Sequence, residues 1–105
     1  MHKFLIVFIL LIATPVLADT LSAPSNSTHV LVFETKDKME YFIKECAGKG
    51  NRSYERDCIA CIKKMVPSGA RCSVVSKTFT ARKIRIMTGE FVGVVGWVPM
   101  EMVLP

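Results

Sequence analysis

The arrangement of apolar and polar residues changes character twice along the chain. A basic start at His2 and Lys3 leads into an apolar run from Phe4 to Ile12, and Thr14-Pro15 interrupts it before Val16-Leu17-Ala18. This order, basic then apolar then small residues, is that of an export signal. The apolar stretch spans about 15 residues, against the roughly 20 that a membrane-crossing helix needs. Residues 1–18 are therefore expected to be cleaved, and Asp19 stands where a lipid-bearing cysteine would, so no stable membrane anchor is expected. Residues 19–28, rich in Ser, Thr, Asn and Pro, read as a flexible leader.

Val30-Leu31-Val32-Phe33 has the β-branched and aromatic content of a buried strand. Thr35 or Asp37 then caps a helix, with Glu40 three residues after Asp37 completing a capping-box pattern. Met39, Phe42, Ile43 and Cys46 recur at helical spacing and predict one apolar face, and Gly48-Lys49-Gly50-Asn51 ends the helix. A second helix is predicted from Ser53 to Met65. Glu55 and Asp57 sit near its positive end, Lys63 and Lys64 lie in its last turn, and Tyr54, Cys58, Cys61, Ile62 and Met65 form one stripe. Pro67 stops it, and the short connection predicts an antiparallel helical hairpin.

From Gly69 the period becomes two: Cys72 and Val74 alternate with Arg71 and Ser73, and Ile84 and Ile86 with Lys83 and Arg85. Glycines 89, 93 and 96 punctuate two further apolar stretches, Phe91-Val92 and Val94 to Val98. Closely spaced short strands predict a small barrel or a strongly bent sheet. The expected class is α+β, mainly β. Residues 29–105 form one domain, in which a strand and helical hairpin (29–67) precede the strand-rich part (69–105).

Size and charge narrow the function. Cleavage leaves 87 of the 105 residues, and setting Lys3 aside leaves 13 basic against 9 acidic side chains, a net charge of +4. So small a core usually needs covalent help. Cys46, Cys58, Cys61 and Cys72 all follow the signal, so disulfides formed in an oxidising periplasmic or secreted location are expected. Of three possible pairings, the hairpin geometry favours Cys46–Cys58, which leaves Cys61 for Cys72. The Cys58-Ile59-Ala60-Cys61 spacing also admits a thiol-disulfide redox protein, and four thiols admit zinc. The second lacks a complete ligand pattern, so neither a metal nor a cofactor is expected.

Gly96-Trp97-Val98-Pro99-Met100-Glu101-Met102-Val103 resembles the closing segment of SH3 and bacterial SH3-like (SH3b) barrels. Pro67-Ser68-Gly69-Ala70-Arg71-Cys72-Ser73-Val74-Val75 resembles the opening strand of the bacterial versions, and Ile84-Arg85-Ile86 with Gly89 their middle strand and turn. The resemblance covers residues 69–105 and implies a binding module for a protein partner or a peptidoglycan fragment. Met102 stands where the family's proline-binding groove has a tyrosine, and the tryptophan pair and acidic-aromatic motif are absent, so proline-rich ligands are not expected. Trp97, Phe91, Arg82 and Arg85 are the candidate binding residues, within a basic set that includes Arg71 and Lys83. No aromatic-interleaved platform accompanies that charge, so nucleic acid is not an expected partner. The one histidine after the signal, His29, adjoins the leader and offers no triad, so the protein is expected not to be an enzyme. A periplasmic inhibitor or immunity protein remains a third expectation alongside the binding module and the redox protein.

Overall fold

The computed structural model describes residues 18–25 and 27–105. The expected signal lies, up to position 17, outside the described residues. Among them no helix is long and apolar enough to cross a membrane.

Seven strands form one antiparallel sheet: β1 (Asp19–Leu21), β2 (His29–Phe33), β3 (Ile62–Pro67), β4 (Arg71–Lys77), β5 (Ala81–Ile86), β6 (Val95–Pro99) and β7 (Val103–Leu104). Their order is β3-β2-β6-β5-β4-β1-β7. Helix α1 (Lys36–Glu45) follows β2, and a 3-10 turn (Gly50–Tyr54) and a single helical turn α2 (Arg56–Ile59) precede β3. A second 3-10 turn, Met100–Met102, joins β6 to β7.

The sheet cannot be flat. β3 and β4 stand four places apart in it, which is about 19 Å at the usual strand spacing. Yet only residues 68–70 link them, and four fully extended Cα steps reach about 14 Å. The sheet therefore curls, and the link is stitched to β1: Leu21 N–H donates to Ala70 C=O at 2.8 Å, and Gly69 N–H to Leu21 C=O at 2.7 Å. Gly69 makes the turn at φ 99°, a conformation that side-chain-bearing residues rarely adopt.

Strand alternation sorts the apolar residues into two cores. Inside the curl lie Leu21, Val30, Val32, Val66, Cys72, Ile84, Ile86 and Val98. On the outer face, Phe33 and Ala81 pack under α1 with Met39, Phe42, Cys46, Cys58 and Cys61. The rings of Phe33 and Phe42 meet there at 5.3 Å between centroids. Thr35 caps α1 by accepting from Lys38 N–H at 3.1 Å. Gly96 lies where β6 passes closest to β2: a Cβ there would overlap Val32 Cγ1 and stand 2.8 Å from the Phe33 carbonyl oxygen.

Four expectations are corrected. The stretch read as a flexible leader opens with β1, because Leu21, fully buried, fills the inner core and β1 joins β4 to β7. The helix expected from Ser53 to Met65 is a 3-10 turn, one helical turn and then β3, so no helical hairpin forms. Pairing decides this: β2 offers residues 62–67 a partner strand, and Val66 is buried opposite Val30. Pro67 is tolerated because β3 is an edge strand. Phe91-Val92 forms part of a turn rather than a strand. Finally, Cys46–Cys58 is bridged as expected, whereas Cys61 and Cys72 are free, one in the outer core and the other in the inner. Residues 62–67 and 71–77 are both extended and run in the same sense along the sheet, which carries Cys72 away from Cys61. The bridge is consistent with an oxidising, exported location.

Two substitutions test this packing by urea denaturation. Leu21→Ala is expected to cost about 2–5 kcal/mol, as for a core residue and unlike one in a mobile leader. Gly96→Ala is expected to cost about 1–3 kcal/mol by forcing β6 away from β2.

Candidate functional site

The structure separates the residues singled out in the sequence. Trp97, on β6, lies between Phe33 of β2 and Lys83 of β5 and packs, half-buried, on the outer core. Alternation places Arg71, Lys83 and Arg85 on that outer side of the sheet and Arg82 on the other. Arg82 donates from Nη1 to the carbonyls of Thr78 and Ala81 at 2.7 and 3.0 Å, and Arg71 from Nη2 to the Ala18 carbonyl at 3.0 Å. The four cations thus do not make one basic face, because Arg82 lies on the opposite side of the sheet and satisfies backbone carbonyls. His29 lies at the start of β2 with its Nδ1 2.8 Å from Thr28 Oγ1.

Of the four candidates, Phe91 reaches the larger groove and Arg82 a smaller depression of about 260 Å³ beside Asp19, Val74 and Lys77. A depression of about 700 Å³ runs along β3, lined by Leu31, Phe42, Ile59, Ile62, Met65 and Phe91, with Tyr54, Lys63 and Lys64 at its rim. Tyr54, Ile59 and Met65 are 76%, 52% and 55% exposed, which is unusual for side chains of this size gathered in one place. The sequence stripe had joined Tyr54 and Met65 on a core-facing helix; both instead open to solvent because the chain changes from helical to extended between them. No signal in the sequence marks this groove, since it depends on where β3 pairs.

β3 ends the sheet on this side, so one edge of its backbone has no strand partner. Lys63 donates to the Val95 carbonyl at 2.8 Å and lies 3.6 Å from Glu34. Lys64 stands 5.8 Å from the Phe91 ring centroid and, among the described residues, makes no salt bridge. Lysines and a proline are also what keeps a bare edge from pairing indiscriminately.

One wall of the groove belongs to the 50–59 segment, which a polar clamp ties to α1. Arg52 grips Asp57 through both carboxylate oxygens at 2.7 Å each, and also reaches Glu55. Tyr41 of α1 donates to Asp57 Oδ2 at 2.6 Å. The hydrogen bonds from Arg52 and then Tyr41 hold the Asp57 carboxyl well below the usual carboxylate range, and the one to Asp57 raises the Tyr41 hydroxyl. These groups are exposed, so salt weakens the clamp. The sequence placed Asp57 near a helix start but could not pair it with Tyr41, 16 residues away.

No protein-family model, curated protein or solved structure matches the chain.

Because the Asp57 carboxyl ionises more readily folded than unfolded, the clamp's stabilisation is complete above the unfolded carboxylate value of about 4 and fades as pH falls below it. Urea midpoints measured down that acid range should fall more steeply for the wild type than for Asp57→Asn. The two curves should converge at the acid end, and added salt should shrink their separation near neutrality.

Proposed function

We propose that the chain is an exported, non-catalytic SH3-like binding module that takes up an extended segment of a protein partner along β3. The observation that carries this reading is the cluster of Tyr54, Ile59 and Met65, all large, apolar and largely exposed, around a groove that ends at an unpaired strand edge. Such an edge offers main-chain donors and acceptors to an extended peptide, while the groove offers room for its alternate side chains. Lys64, with no carboxylate partner among the described residues, favours a ligand that brings an acidic residue beside an apolar one.

The SH3-like part of the reading is supported by the curled antiparallel sheet and by its ending, where Gly96-Trp97-Val98-Pro99 enters a 3-10 turn and then β7. Binding is placed at β3 rather than on Trp97, Arg82 and Arg85. Trp97 covers the outer core, Arg82 is engaged with carbonyl oxygens, and Arg85, paired with Val95 on β6, lies outside the groove along β3.

Selection of phage-displayed random peptides on the immobilised protein tests this. Enrichment of extended sequences with alternating apolar residues and at least one acidic residue is expected. Met65→Asp and Lys64→Glu should each weaken a selected peptide at least about tenfold by calorimetry, with urea midpoints unchanged because both side chains are exposed. Failure to enrich any peptide, binding that survives both substitutions, or co-sedimentation with purified peptidoglycan in place of peptide binding would each overturn it.

A further inference from the structure

Three of the four cysteine sulfurs lie in one apolar cluster. Cys46 and Cys58 form the bridge, and Cys61 shares the outer core with them as a buried free thiol. The backbone from Cys58 to Cys61 is a closed turn in which Cys61 N–H donates to the Cys58 carbonyl at 3.1 Å. Such a turn brings its terminal Cα atoms within about 7 Å, close to the range that a disulfide spans. The Cys61 Sγ–H donates to the Asp57 carbonyl at 3.3 Å, which directs the sulfur back along α2 toward the turn that carries Cys58.

We infer that Cys61 is an exchanging thiol that can take Cys58 from Cys46. The Cys61 thiolate attacks the Cys58 sulfur, a Cys58–Cys61 bond forms, the Cys46–Cys58 bond breaks, and Cys46 leaves as a thiolate. Cys61 gives its proton to solvent and Cys46 takes one up. One disulfide and one thiol stand on each side of the exchange, so no oxidant or reductant is consumed. The inference is independent of the binding reading.

No other sulfur competes for this role. Cys72 is fully buried in the inner core, on the opposite side of the sheet, and burial, with Asp19 adding to it, pushes its thiol up to about 11. Exchange would free the C-terminal cap of α1, Cys46, from the 50–59 segment. The Tyr41, Arg52 and Asp57 clamp would then be what joins them.

Trypsin separates the two pairings, because Cys58 and Cys61 share the peptide 57–63 whereas Cys46 lies in 45–49. The native protein is held at mildly alkaline pH with iodoacetamide, acid-quenched, digested without reductant and read by mass spectrometry. The wild type should yield alkylated 45–49 together with an internally bridged 57–63, two hydrogens lighter than its dithiol, in a fraction that grows with pH as thiolate forms. Cys61→Ser, which keeps the native bridge, should lose alkylation at Cys46 altogether. Cys46→Ser, exposed to oxidised glutathione, should close Cys58 to Cys61. Equal alkylation of Cys46 in the wild type and Cys61→Ser would overturn the inference, and that comparison decides the matter even if Cys46→Ser does not fold.

Discussion

Residues 68–70 impose the constraint on which the rest of the molecule depends. They join two strands that stand four places apart in one sheet, and no flat sheet can accommodate so short a link. Curling answers it, and curling creates the enclosed space in which Leu21, Val30, Val66, Ile84 and Val98 meet from strands that are distant in the order. The main-chain bonds of Gly69 and Ala70 to Leu21 hold the link at the place where β1 crosses it. A short strand just after the expected cleavage site is thereby part of the fold.

A curled sheet has an outside as well as an inside, and in so small a chain the outside also needs cover. α1 supplies it over Phe33, Ala81 and Trp97, and the bridge from Cys46 to Cys58 fastens the irregular 50–59 segment beside it. In the chain-entropy account, a closed loop of about a dozen residues is worth about 3 kcal/mol, a substantial share of the stability typical of a domain this size. Here the cross-link holds a segment whose regular structure is one 3-10 turn and one helical turn. The clamp of Arg52, Asp57 and Tyr41 acts on the same segment, but in solvent, where it is sensitive to acid and salt.

The same geometry assigns the sulfurs and the groove. Since β3 and β4 run in the same sense on either side of the link, Cys61 and Cys72 fall in different cores, and Cys61 is left in the company of the existing bridge. Since β3 is the last strand on its side, the apolar side chains brought by the 50–59 segment meet a free backbone edge instead of a further strand. The groove and the thiol cluster are thus both consequences of where one strand ends the sheet.

Local patterning is enough to read β2, the apolar face of α1 apart from Ile43, which is exposed, a cap at Thr35 or Asp37, of which Thr35 is the one used, and the alternating strands β4 and β5, because each depends on neighbours within a few residues. It also singled out Cys46–Cys58, which needs only that two helical stretches follow one another closely. Ile62 to Pro67 was misread because its apolar spacing fits a helix stripe as well as a strand, and the choice between them rests with β2, some 30 residues earlier. The same dependence on distant partners made Leu21 look idle, set Trp97 over a core instead of on an open face, and hid the groove. Residue types and their spacing determined which segments could be helical, extended or cross-linked; the curl of the sheet alone decided which of them met, because burial is a property of the assembled surface and not of any stretch of chain.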